Sequence, residues 1–88
     1  MTNNKTVTKT VTIYTTATCA YCHAEKEFLK QHKVAFKEVP VDTDEAAAQK
    51  MIELSGQMGV PFTVIGEGTD AEQIVGFDQS RITAALGL

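Results

Sequence analysis

Apolar positions along the chain switch several times between a two-residue and a three-to-four-residue spacing. From Val7 to Thr15, β-branched residues and threonines dominate, with Val11 and Ile13 on one face and Tyr14 on the other, which predicts a first strand. A helix is predicted after the Ala17–Cys22 stretch. Ala24, Phe28 and Leu29 share its apolar face, while Glu25, Lys26, Glu27 and Lys30 read as a solvated face. Thr18 is its candidate N-cap. Ala35 to Val41 reads as a second strand, with Val39 and Val41 on one face, and Pro40 within it points to a sheet edge or a strand end. Asp42-Thr43-Asp44-Glu45 supplies acids that complement a helix dipole, so a second helix is expected through Ala46–Leu54, stopping at Ser55-Gly56. Phe62–Ile65 and Glu72–Val75 read as strands joined by a hairpin loop at Gly66–Asp70. Asp78 is the candidate N-cap of a terminal helix whose apolar face is Ile82, Ala85 and Leu86.

The resulting order, β-α-β-α-β-β-α, predicts an α/β fold: a four-stranded mixed sheet flanked by three helices. The helical connections favour parallel pairing among the first three strands where they are neighbours. The short connection makes the last two antiparallel. Eighty-eight residues suffice for one domain, read as residues 1–88 with the polar segment 1–6 flexible. The net charge is -3, Arg81 is the only arginine, and no basic cluster occurs, so no nucleic-acid partner is expected. No apolar run is long enough for a membrane helix, and Met1–Thr10 contains no apolar secretory core. The expectation is therefore a cytoplasmic monomer with no membrane partner.

The chemistry concentrates in Cys19 and Cys22. Between a predicted strand and a predicted helix, Cys19 lies where free N–H groups and the positive end of the helix dipole favour thiolate over thiol. Cys22 follows one turn later, close enough to close a small ring. Cys19 would then attack a disulfide and Cys22 would resolve the mixed disulfide. Two other readings compete. The pair could be half of a zinc site, although zinc prefers four ligands and His23 and His32 do not complete a common spacing. The pair could also be two inert small apolar side chains, which a C-x-x-C at a strand–helix junction disfavours. Pro61 opens a strand, where trans is the commoner isomer; a cis Val60-Pro61 bond would bring the Val60 backbone beside Cys19, ready to pair with an extended substrate. His23 reads as a solvated helix position or a local cation, and Tyr14 as core or strand surface. Phe77 reads as a packed residue or an exposed patch.

With Tyr14-Thr15, Cys19-Ala20-Tyr21-Cys22, Gly59-Val60-Pro61 and Gly76-Phe77-Asp78 in this order, the chain resembles the glutaredoxins of the thioredoxin-like superfamily. It is most similar to the bacterial and archaeal YruB-type group, with the NrdH-type redoxins close by. The resemblance implies a thioredoxin-like (glutaredoxin) fold, a cis Pro61, Cys19 as nucleophile and Cys22 as resolving cysteine. It implies that Tyr21, Val60, Pro61, Gly76, Phe77 and Asp78 line the groove for substrate or glutathione. No bound cofactor and no metal site are implied; glutathione is a possible reductant, thioredoxin reductase the other. The substrate would be a disulfide on a protein, ribonucleotide reductase among them, or on a low-molecular-weight thiol.

Departures from the family pattern bear on the donor. Ala20 stands where glutaredoxins usually carry proline, which frees an N–H near Cys19. Thr16 stands where a lysine usually binds a glutathione carboxylate, and Gln57 and Met58 replace a cation before the Val-Pro pair. Asp78, which the family uses for the glutathione amino group, is retained. Each missing charge-assisted hydrogen bond is worth roughly 1.5–3 kcal/mol, so weak glutathione binding is expected. The alternative function is a metal or iron–sulfur module sharing a cluster between two chains, a role some glutaredoxins perform.

Overall fold

The structure is a computed structural model that describes residues 9–66 and 71–88. Its elements are β1 (Val11–Thr15), α1 (Ala20–Gln31), β2 (Lys37–Pro40), α2 (Glu45–Ser55), β3 (Phe62–Ile65), β4 (Glu72–Val75) and α3 (Gln79–Leu86). The four strands form one sheet in the order β2-β1-β3-β4. Residues 1–6, expected to be flexible, and most of the expected hairpin loop lie outside the described residues.

The predicted element order holds, with the second strand shorter than the pattern suggested. The second strand begins at Lys37 rather than Ala35 and ends at Pro40 on the sheet edge. That position suits a residue with no N–H to donate to a ladder. The first begins at Val11, and Val7 and Thr8 of the expected strand lie outside the described residues. One expectation about direction needs correction. β2 is parallel to β1, but β3 is antiparallel to it. The reason is the route of the chain. Pro40 pairs with Thr15, and Phe62 pairs with Tyr14, so the chain re-enters the sheet at the end from which it left. The segment through α2 is a return, not a crossover.

Both sheet faces are covered. On one, Val11, Ile65 and Ile74 pack with Leu29 of α1 and with Ile82 and Leu86 of α3. On the other, Tyr14 and Phe62 pack with Met51 of α2, the two rings 5.7 Å apart. Each such fully buried apolar side chain contributes roughly 1.5–3 kcal/mol. Helix ends follow their local chemistry. The Asp44 and Asp78 carboxylates accept from the N–H groups of Ala47 and Arg81, and Gly56 ends α2 at φ 74°, a left-handed conformation that suits glycine.

The register gathers the loops that matter. Thr15, Pro40, Phe62 and Val75 all lie at one end of the sheet. The β1–α1 loop, the start of the β2–α2 loop, the segment before β3 and the Gly76 turn therefore meet there. Two hydrogen bonds tie them: Val41 N–H to Thr15 O at 2.8 Å and Gly76 N–H to Pro61 O at 2.8 Å.

Candidate active site

Cys19, not Thr18, is the N-cap of α1. Its backbone is extended (φ -84°, ψ 112°), and its Sγ accepts the N–H of Cys22 at 3.0 Å. Thr18 is exposed and outside the helix. A sulfur can replace a hydroxyl as cap because the first helical N–H groups have no backbone partners. The Cys19 Sγ also lies 3.8 Å from the carbonyl oxygen of Val60, to which its thiol donates. Val60-Pro61 is cis, as the family resemblance implied and isolated statistics did not.

The two sulfurs occupy different environments. Cys19 is half-buried at the surface, whereas Cys22 is 1% exposed, and neither is in a disulfide. Burial pushes the Cys22 thiol up to about 12; its hydrogen bond with Cys19 adds to this, a backbone hydrogen bond at Thr16 opposes it, and the charges of Cys19 and Glu25 add further. At neutral pH Cys22 is therefore a thiol. Only Cys19 is placed to meet an incoming disulfide.

The surroundings divide into an open and a closed part. Tyr21, between the two cysteines, is 70% exposed, and Met58, two residues before Val60, is 75% exposed. Asp78 caps α3 and is only half-buried, compatible with both of its expected roles. Gly76 takes φ 82° at the turn out of β4. Phe77 is packed: it stands edge-on to Phe28 at 5.8 Å and against the α1–α3 core. His23 is exposed and Tyr14 is buried in the α2-side core.

The positions that replace the family's cations offer no positive charge. Gln57 folds back on its own loop, accepting from Gly59 N–H at 2.7 Å and donating to Gly59 O at 3.2 Å. Thr16 lines a cavity of about 450 Å³ together with His23, Lys26, Glu38 and Asp42. There Lys26 is paired with Glu38 at 2.8 Å, and Asp42 accepts the Ala17 N–H at 2.9 Å. The Glu38 carboxyl is held below the ordinary range by its hydrogen bonds from Lys26 and Thr15. The cavity thus presents two carboxylates around one committed ammonium. Among the described residues, no three His, Cys, Asp or Glu side chains gather as a metal-ligand set.

One residue contradicts its sequence reading. Glu25, assigned to the solvated face of α1, is 0% exposed, and Ala24, assigned to the apolar face, is exposed. The helix is turned so that Cys22, Glu25 and Leu29 form its buried stripe. Successive helical residues advance about 100°, so a Cys22 held inward beneath Cys19 carries the residue three positions on inward too. The Thr63 hydroxyl of β3 donates to Glu25 Oε2, and Oε1 has no hydrogen-bond partner. Burial pushes the Glu25 carboxyl up to about 7, against the Thr63 hydrogen bond that lowers it.

The family model for glutaredoxin matches residues 11–68, from the start of β1 through both cysteines, the cis proline and β3. The chain belongs to the glutaredoxin family. It is 43% identical over 77 residues to glutaredoxin 3 of Escherichia coli strain K12, covering 88% of each chain. The fold is similar to that of Methanosarcina acetivorans methanoredoxin, with a TM-score of 0.79 at 26% identity over 90% of this chain and 85% of that one. It is also similar to the glutaredoxin-like NrdH-redoxin of Escherichia coli, described as having a thioredoxin-like activity profile, with a TM-score of 0.69 at 28% identity over 84% and 91% of the two chains. The protein is a glutaredoxin-like thiol–disulfide oxidoreductase with a thioredoxin-like fold. Among the described residues, no helix is long and apolar enough to cross a membrane.

Proposed function

We propose that this glutaredoxin reduces disulfides by a dithiol cycle in which Cys19 attacks and Cys22 resolves. The observation that carries this is the cap geometry: the half-exposed Cys19 Sγ accepts a helix N–H at 3.0 Å while Cys22 lies buried one turn on. The Cys22 N–H fixes the Cys19 sulfur at the start of α1, where a substrate disulfide can reach it. Attack on a substrate disulfide expels one substrate thiolate and leaves Cys19 bonded to the other sulfur. Cys22, after losing its proton, displaces that sulfur and forms the Cys19–Cys22 disulfide. A thiol or dithiol reductant then donates two electrons to the Cys19–Cys22 disulfide and restores both thiols.

The substrate class we assign is a protein disulfide presented in an extended segment. Val60 sets a backbone carbonyl beside Cys19, and Tyr21 and Met58 add exposed apolar surface suited to a polypeptide. Asp78, Gly76 and the Val60-Pro61 pair complete the groove, with Phe77 supporting it from the core side. A disulfide of ribonucleotide reductase is one substrate of this class that the reading includes. The electron donor we assign is thioredoxin reductase in preference to glutathione. Thr16, Gln57 and Met58 supply no cation for the glutathione carboxylates, and the cavity lined by Thr16 holds Glu38 and Asp42 instead. The thioredoxin-like activity profile described for the similar NrdH-redoxin supports this choice. A reducing, cytoplasmic setting suits such a cycle.

Paired NADPH-coupled assays on one protein disulfide test the donor. One contains thioredoxin reductase; the other contains glutathione with glutathione reductase. Turnover with thioredoxin reductase and little with glutathione is expected. Efficient turnover with glutathione alone would overturn the assignment and show that Asp78 and the Val60 backbone hold glutathione without the cations.

A further inference from the structure

The resolving step requires Cys22 to give up a proton inside the protein. Cys22 is 1% exposed, so water has little access to its thiol. Burial also keeps the thiol protonated.

Glu25 lies on the same buried stripe of α1, one turn beyond Cys22, and its charge acts directly on that thiol. It is fully enclosed. Its Oε2 is fixed by the hydroxyl of Thr63, while Oε1 has no partner. A buried acceptor without a donor is costly, by roughly 1–3 kcal/mol for a neutral group and more for a charged one. Nothing in the fold requires an acid here, since the stripe continues into Leu29 and an apolar core. An unpartnered carboxyl oxygen one helical turn from a thiol that must be deprotonated, on the same buried stripe, is what a proton acceptor needs.

We propose that Glu25 takes the proton of Cys22 during resolution and that Thr63 positions it for this transfer. The inference rests on the dithiol reading above. In the step, the Cys22 S–H proton passes to the Glu25 carboxylate. The Cys22 sulfur then bonds to Cys19 Sγ, the bond between Cys19 and the substrate sulfur breaks, and its electron pair leaves on the substrate thiolate. The proton stays on Glu25 at the end of the step and is available to Cys22 when a reductant reopens the Cys19–Cys22 disulfide. Cys19 and Cys22 are oxidised, the substrate disulfide is reduced, and no further reactant is needed.

Among the described residues, the charged groups of neighbouring elements are exposed, as His23 of α1 is, or engaged elsewhere. On α1, Lys26 pairs with Glu38 of β2. From α3, Arg81 pairs with Glu72 of β4, and Asp78 is engaged as a cap. On the covered face, β1 contributes Val11 and Ile13, β3 contributes Thr63 and Ile65, and β4 contributes Ile74, none of them charged. The near-neutral ionisation of Glu25 leaves a working fraction of carboxylate at pH 7.

The reaction with dithiobis(nitrobenzoate) separates the two steps. Cys19 attack releases one coloured thiolate, and Cys22 attack on the resulting mixed disulfide releases the second. In the full-length protein, Glu25→Gln keeps an acceptor for Thr63 but cannot take a proton. The first release is expected to be unchanged. The second is expected to slow at least about tenfold at pH 7, and its rate is expected to rise with pH without the break near neutrality expected of the parent. Glu25→Asp, which retains a carboxyl, is expected to recover part of the rate and the break. An unchanged second phase with an unchanged pH profile in Glu25→Gln would overturn the proposal. If Cys22→Ser still released the second thiolate, the dithiol reading itself would fail, a result distinct from the first.

Discussion

Glu25→Gln also changes how stability depends on pH, and the size follows from the burial of a single carboxyl. In the folded protein the Glu25 carboxyl ionises near 7, against an ordinary value of 4.5. Between those values the unfolded chain has released the proton while the folded chain still holds it. The folded state then binds more protons than the unfolded state, so stability falls as pH rises. The contribution is fully present below about 4.5, where both states are protonated, and is lost by the time pH passes about 7. The gap corresponds to about 3 kcal/mol. The Gln variant keeps the Thr63 hydrogen bond and removes the titration. Denaturant unfolding of the two reduced proteins at a series of pH values from 4.5 to 8 gives the comparison. The parent is expected to lose about 3 kcal/mol relative to the variant across this range, with most of the change between pH 5 and 7. Taking the difference cancels the opposite trend from groups such as Glu38, whose lowered ionisation loses stability as pH falls. A difference that stays constant across the range would refute the reasoning and place Glu25 in contact with water.

Two further predictions concern the groove. Thr16→Lys combined with Met58→Arg restores cations where glutaredoxins usually hold them; glutathione-dependent turnover is expected to improve by about tenfold or more in kcat/KM, in line with the strength of a charge-assisted hydrogen bond. Asp78→Ala removes the α3 cap to Arg81 N–H and is expected to lower the unfolding free energy by about 1 kcal/mol, read as a shift in denaturant midpoint with little change in slope.

Much of the fold was readable from local chemistry. Asp44-Glu45, Ser55-Gly56 and Asp78 mark helix ends through capping and glycine geometry, which need no tertiary information. The strands at Val11–Thr15 and Phe62–Ile65 declare themselves by β-branched and aromatic residues. The direction of β3 was not legible, because a connection containing a helix can either cross the sheet or return to the same end. The cysteine pair was visible in its spacing, but the cap was assigned to Thr18 because a hydroxyl is the ordinary cap and a sulfur is not. Glu25 escaped for a related reason. Amphipathic patterning puts charge outward, and Phe28 with Ala24 suggested a plausible apolar face. The contrary signal was the fixed inward orientation of Cys22, which carries Glu25 and Leu29 with it. Thr63, a β-branched residue within a strand, carries no sequence mark of its hydrogen bond to Glu25.

The central claim is the division of labour between the two cysteines, and trapping tests it most directly. Cys22→Ser and Cys19→Ser are each mixed with a disulfide-bearing protein substrate, quenched with acid and resolved by intact mass under non-reducing conditions. Cys22→Ser is expected to accumulate a one-to-one mixed disulfide through Cys19, and Cys19→Ser is expected to accumulate none. Adduct formation through Cys22 in Cys19→Ser, or none in Cys22→Ser, would contradict the account.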